Sequence, residues 1–413
     1  APAWVKRDQE RFPRAQTSDG RGLEILSPFS EANRDADALA FAALMRHLRE
    51  LDGERRTVLM VQVENEIGMI PEARDHSEVA EQRFADAVPA ALLESLAANR
   101  ASLAPPLRSR WISHGARMSG AWEEVFGSSL ATDEVFMAWH FAVYTEAVAA
   151  AGRAEYGLPL FVNAALIRPG RQPGEYPSAG PLPQVFDVWR AGAPTIDFLA
   201  PDIYFPNFVE WARAYDVPGN PFFVPETGRQ PEATPANALY AFGAHDAMGF
   251  SPFAIEGYAE DDPLGEAYEV LQGLAPLILE HQGQGTIAGV RPVVAFDGTV
   301  DESPQDVRLG DFTLRVRFVD PWTPPALQSI AAHGGLIIQL GPEEYLVAGR
   351  GLTVTFPADE GIVGIESIRE GTYENGEWDP GRLLNGDQSH QGRHLRLPPG
   401  EFGVQRVRLY RYS

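Results

Sequence analysis

Between Glu31 and Gln282 the chain alternates two kinds of segment, and this alternation restricts the fold more than any other feature. Short apolar runs are bounded by Gly and Pro: TVLMVQVENEIG at Thr57–Gly68, LPLFVNA at Leu158–Ala164, IDFLAPDIYF at Ile196–Phe205, PFFVPETG at Pro221–Gly228 and SPFAIEGY at Ser251–Tyr258. They are too short for buried helices and rich in β-branched and aromatic residues, so they read as strands. Segments of helical period lie among them: Glu31–Leu51 capped by Ser30, Asp133–Tyr156, Leu182–Ala191, Phe208–Tyr215, Thr234–Met248 capped by Thr234, and Pro263–Gln282. In the first of these, Leu39, Phe41, Leu44, Met45 and Leu48 form the apolar face. Strand and helix in alternation imply parallel βα units.

The first run carries the sharpest expectation. A near-continuous apolar strand is the mark of a parallel strand covered on both faces. Side chains alternate along a strand, which places Met60, Gln62, Glu64 and Glu66 on one face and Leu59, Val61, Val63 and Asn65 on the other. The apolar face should pack on helices and the polar face should line a cleft. Parallel α/β folds bind ligands at the carboxyl ends of their strands. Glu66 stands at such an end, and so does Glu226 in PFFVPETG. A single strand-end Glu is more often a cap or a solvated residue. The neighbouring Asn65 and the polar residues on an otherwise apolar strand favour a task, because carboxylates near a core are costly without a partner or a role.

Around this core the sequence predicts a long loop over residues 1–30. It also predicts a polar excursion over residues 69–130 that would lie above the strand ends, with one helix near Glu78–Asn99. Trp111 and Trp122 in that excursion read as local core in preference to sugar-stacking platforms. Beyond Gly283 helical periodicity stops. Short alternating runs take over, among them Phe312–Phe318, Gly335–Leu340, Leu352–Phe356 and Val404–Tyr412, in the pattern of a β-sandwich. The reading is therefore a (β/α)8 barrel over residues 1–283 and a C-terminal β-sandwich over 284–413, the latter a buttress or a sugar-binding module. Five strands are counted where such a barrel needs eight, so three βα units are expected to precede Ala1.

Composition removes several functions. The formal net charge of −23 disfavours nucleic acid and anionic membranes as partners and suits a neutral substrate. With no cysteine, disulfides, thiolate catalysis and Cys-based zinc sites are excluded, and a periplasmic or secreted location is compatible. The nine His residues show no metal-ligand spacing, and no phosphate loop, zinc-protease or nucleophile-elbow motif occurs. Neither a cofactor nor a metal is expected.

Two strand-end glutamates suit glycoside hydrolysis. One carboxylic acid protonates the leaving oxygen, and a second carboxylate attacks the anomeric carbon or activates water. Glu66, beside Asn65, suits acid/base work. Glu226, after Pro225 and before Thr227–Gly228, suits the nucleophile. Tyr204 is placed to donate a hydrogen bond to that nucleophile, and Asn65 and Asn163 to bind sugar hydroxyls, Asn65 the 2-hydroxyl above all.

VQVENEIG resembles the acid/base motif of glycoside hydrolase family 35 β-galactosidases. APAWVKRD resembles the segment after strand three in these and in the related family 42 enzymes, DIYFPNF the strand-six region and VPETG the nucleophile strand. The C-terminal region resembles a β-domain attached to a bacterial subgroup. The resemblance implies Glu66 as acid/base, Glu226 as nucleophile, Asn65 as the Asn before the acid/base, Tyr204 as the strand-six Tyr, and Glu64 as a substrate-contacting or structural residue. Glu256 stands where many members carry a Trp on strand eight, which opens the glycone preference. The implied activity is a retaining exo-β-galactosidase acting on a β-galactoside or a related plant-derived oligosaccharide. The alternatives are a β-glucosidase, β-xylosidase or arabinopyranosidase on the same scaffold, or a non-catalytic carbohydrate-binding protein.

Overall fold

The computed structural model describes residues 1–228, 232–257, 259, 262–358 and 361–412. The chain divides into two compact units, Ala1–Asp202 and Ile203–Ser413. The division falls inside a strand, Phe198–Ile203.

In the first unit the expected loop over residues 1–30 is structured. A helix, Ala3–Arg7, precedes an antiparallel hairpin, Arg14–Gln16 with Gly22–Leu26. The hairpin is anchored by the fully buried Asp75, whose Oδ1 accepts from Gln16 N at 2.9 Å and whose Oδ2 accepts from Ser27 Oγ at 3.1 Å. Helix Glu31–Asp52 begins where Ser30 predicts, with Ser30 Oγ accepting from Asn33 N. The single helix expected near Glu78–Asn99 is two, Glu78–Ala85 and Ala90–Ala98. The chain turns extended at Asp86, Val88 N donates to Gly120 O, and Pro89 starts the second helix with no N–H to offer. Trp111 and Trp122 are buried at 2% and 1% exposure, so they are core and present no face to a sugar. The long helix Leu130–Glu155 is buried along much of its length.

Three parallel strands lie in this unit: Val61–Gln62, Leu160–Ala165 and Phe198–Ile203, with Val61 opposite Leu160 and Phe161 opposite Phe198. The central strand is buried at all but its last residue, as an inner parallel strand should be. The run at Thr57 departs from expectation. Only two of its residues form strand, and Leu59 is 70% exposed. Among the described residues this strand lies at the edge of its sheet, paired with Leu160–Ala165. Of its apolar residues Val63 is the one fully buried.

In the second unit, helix Phe208–Tyr215 has the expected bounds. Two parallel strands follow, Val224–Thr227 and Phe250–Pro252. Between them lies helix Thr234–Ala244, which begins at Ala233 without a side-chain cap; Thr234 Oγ1 donates instead to Gly228 O at 2.9 Å. The expected strand Ser251–Tyr258 is short because Ala254, at φ 55°, turns the chain into a 3-10 turn at Ile255–Gly257. Tyr258 lies outside the described residues. Helix Pro263–His281 closes this part. The expected boundary at 283/284 lies in the turn before strand Ile287–Val290.

The remainder is antiparallel. A six-stranded sheet orders Glu377–Leu383, Ile362–Glu374, Gly403–Tyr412, Glu344–Arg350, Gly334–Gly341 and Ile287–Val290. A four-stranded sheet orders Gln305–Leu309, Phe312–Arg317, Leu352–Thr355 and Leu395–Leu397. Leu314, Val316 and Val354 of the second sheet meet Ile337, Val347 and Val407 of the first in one apolar core. Alternation along Phe312–Arg317 explains this: Phe312, Leu314 and Val316 point inward while Thr313 and Arg315 do not. The described residues thus show a mixed α/β region with parallel strands followed by an antiparallel β-domain. They supply five parallel strands of the eight that a closed barrel uses.

Candidate functional site

The expected site residues fall in both units, and each group has its own geometry. In the first unit Glu64, Asn65 and Glu66 follow the short edge strand as a turn. Glu64 has φ 61° and Glu66 φ 46°, both in the left-handed region, which costs a side-chain-bearing residue about 1–2 kcal/mol each. Strand alternation therefore stops at Val63, whose N–H donates to Phe161 O, and does not carry on to Glu64 and Glu66.

Hydrogen bonds hold this turn. Gln62 Nε2 donates to Glu64 O and to Asn65 Oδ1, both at 3.0 Å. Asn163, on the buried central strand, accepts from Glu66 N at Oδ1 (2.9 Å). Its Nδ2 donates to Asn65 Oδ1 at 3.2 Å and to Asp202 Oδ2 at 2.6 Å. Asn163 is 1% exposed and its amide is engaged on both sides, so it orients the turn from within the core. The chain leaves the site through Gly68, where a Cβ would lie 2.7 Å from the Pro177 backbone; Met69 and Ser178 then exchange backbone hydrogen bonds.

The turn borders a cavity of about 430 Å³ within this unit, lined by Glu64, Asn65 and Glu66 together with Glu24, Asp37 and Tyr144. Glu64 and Asp37 line this cavity together, and Asp37 Oδ2 accepts from Tyr144 Oη at 3.0 Å. Desolvation first, and then the charge and hydrogen bond of Asp37, push the Glu64 carboxyl up to about 8. Burial and the same two acids push the Tyr144 phenol upward, so it remains a neutral donor.

In the second unit Glu226 is half-buried on strand Val224–Thr227. Tyr204 Oη donates to Glu226 Oε2 at 2.7 Å. The strand is fixed beside it: Thr227 Oγ1 and Gly228 N donate to Ile203 O, and Phe253 N donates to Thr227 O. Tyr204 is 40% exposed and meets the exposed Phe253 edge-on at 6.4 Å. Glu256 is exposed on the 3-10 turn, four residues past the strand on which the sequence placed it.

Three polar residues at these positions were not singled out from the sequence. Asp202 carried a signal, a carboxylate closing an apolar strand, the same signal that marks Glu66. Asp37 and Tyr144 carried none. Asp37 sits among the polar residues of an amphipathic helix, and Tyr144 in an apolar helical run.

A family model described as a domain of unknown function (DUF5597) matches residues 264–396, the last long helix and much of the β-domain. No curated protein matches the chain. Among solved structures, a crystal structure of endogalactoceramidase is similar at 12% identity and a TM-score of 0.22, over 80% of this chain and 66% of that one, just under two thirds of its length. Among the described residues no helix is long and apolar enough to cross a membrane.

Proposed function

We propose that this chain carries the two catalytic carboxylates of a retaining exo-glycoside hydrolase of the (β/α)8 type, removing terminal β-D-galactosyl residues from oligosaccharides. The observation that carries the reading is the 2.7 Å hydrogen bond from Tyr204 to Glu226, which holds one oxygen of a strand-end carboxylate in place. The position of Glu66 at a strand end, on a turn held by Asn163 and bordering a cavity, supports it.

In this mechanism a Glu226 carboxylate oxygen attacks the anomeric carbon as the glycosidic C–O bond breaks, and Glu66 gives its proton to the departing oxygen. The product is a glycosyl ester on Glu226 and a free alcohol. Water then enters, loses a proton to Glu66 and attacks the same carbon. The ester bond breaks, Glu226 is regenerated, and the sugar leaves with its original configuration. The mechanism requires the two carboxyls to come within ~5–5.5 Å of each other.

The test is Glu226→Ala assayed with nitrophenyl β-galactoside, with and without azide. The expected result is loss of turnover, restored by azide as a glycosyl azide of inverted configuration. Turnover by Glu226→Ala without azide sinks the assignment. A panel of nitrophenyl glucoside, xyloside and arabinopyranoside measures the glycone, and binding of sugars without hydrolysis of any of them would favour a carbohydrate-binding protein.

A further inference from the structure

Glu64 is the point where three elements of the first unit meet. It lies on the turn that follows the strand Val61–Gln62, its side chain lines one cavity with Asp37 of helix Glu31–Asp52, and Asp37 is held by Tyr144 on helix Leu130–Glu155. Its backbone is in the left-handed region, and its carbonyl is pinned by Gln62. Two residues on, Glu66 repeats the left-handed conformation with its N–H on Asn163. A turn with two such residues persists only where its surroundings over-determine it.

We propose that Asp37, Glu64 and Tyr144 form a carboxyl clamp that fixes the Glu64–Asn65–Glu66 turn to the helices and thereby aims the Glu66 carboxyl. Asp37 and Glu64 are positioning residues in this scheme. Two acids in contact at a half-buried position hold together when one carries a proton and donates it to the other. Ionising both places two anions against each other and opens the clamp. Among the described residues the other charged or titratable groups nearby are Tyr144, held neutral, Arg34 near Tyr144 on the Asp37 helix, and Glu24 and Glu66 along the same cavity.

The clamp itself stands apart from the glycosidase reading; its catalytic consequence rests on that reading. The experiment is hydrogen–deuterium exchange over residues 57–68, comparing the unaltered chain with Glu64→Gln and Asp37→Asn at equal pH. At about pH 6 all three should be protected alike. At about pH 9 the unaltered chain should exchange roughly tenfold faster than either variant, a factor worth one pH unit of proton affinity, because each variant removes one anion of the repelling pair. Equal protection of all three at about pH 9, or faster exchange in Glu64→Gln, overturns the clamp. The catalytic arm compares Glu64→Ala with Glu64→Gln on nitrophenyl glycosides. A misaimed acid lowers kcat on the order of 10²-fold in the alanine variant, with KM changing by less than about threefold and the glutamine variant rescuing. Equal kcat losses in the two variants overturn the positioning role. A chain that hydrolyses no glycoside while the exchange result holds defeats the glycosidase reading and leaves the clamp standing.

Discussion

The two strand-end glutamates are held in opposite ways. Glu66 sits on a turn with two left-handed residues, its backbone N–H bound by a buried Asn163 that is itself tied to Asp202. Glu226 sits within strand Val224–Thr227, its carboxylate bound by one exposed phenol. In the first setting the group held is the backbone N–H; in the second it is the carboxylate itself. That difference matches the proposed division of labour. An acid/base must move a proton in two directions, whereas a nucleophile must keep one oxygen aimed at carbon.

The largest effects break the comparison at the carboxyls. Glu226→Ala should lower kcat on the order of 10⁴-fold or more for every leaving group, because no covalent intermediate can form. Glu66→Ala should cost about 10²–10⁴-fold for leaving groups that need protonation and far less for activated nitrophenols. Equal losses across a leaving-group series would remove Glu66 from the acid's role. Next comes the support. Asn163→Ala leaves the Glu66 N–H and the Asp202 carboxyl short of a buried partner, which should destabilise the first unit by about 2–3 kcal/mol in urea unfolding. A shift in midpoint below about a tenth of that would show that solvent replaces the amide.

How much of this was legible beforehand follows from the kind of signal each residue gives. Glu66 and Glu226 stood out because each closes an apolar run, and helix Phe208–Tyr215 because its period is clean. The hairpin within residues 1–30 was hidden, since the buried Asp75 that anchors it lies 59 residues from Gln16. The shortness of the edge strand was hidden too. Edge or centre is a property of the sheet, and seven residues of sequence do not contain it. The sequence placed Glu64 and Glu66 on one face by alternation, a rule that ends where a backbone turns left-handed, and nothing in VENE announces that turn. Asp37 and Tyr144 gain their meaning only from contact with Glu64.

A smaller effect sharpens the comparison through pH. The raised Glu64 carboxyl contributes stability that is complete below its unfolded value of 4.5 and is lost as pH rises through about 8. His140 carries the opposite sign. Packed against Phe29 and Phe136, it is driven by burial down to about 3, so its contribution is present above 6.5 and is lost as pH falls toward 3. Between 4.5 and 6.5 the two slopes cancel. Outside that window stability should fall on both sides, by up to about 1.4 kcal/mol per pH unit for one proton. In urea midpoints measured across pH, Glu64→Gln should flatten the alkaline limb and leave stability rising with pH across the 4.5–6.5 window, and His140→Phe should flatten the acid limb and leave it falling across that window. A Glu64→Gln profile that keeps the parent's alkaline slope would place the proton elsewhere.

The smallest expected effect concerns Tyr204. Tyr204→Phe removes the phenol's hydrogen bond to Glu226 and keeps the ring against Phe253. A hydrogen bond to a charged group is worth about 1.5–3 kcal/mol when dry, but at 40% exposure water competes for the carboxylate. The expected loss is therefore about 1 kcal/mol in transition-state stabilisation, roughly fivefold in kcat/KM, with folding stability unchanged. In the proposed scheme the phenol acts on both the attack and the release of the sugar, so the loss should appear with activated and unactivated leaving groups alike. Glu66→Ala would separate those groups. If Tyr204→Phe separated them as well, the phenol would be serving proton transfer, and the contrast between a controlled backbone at one glutamate and a controlled carboxylate at the other would fail.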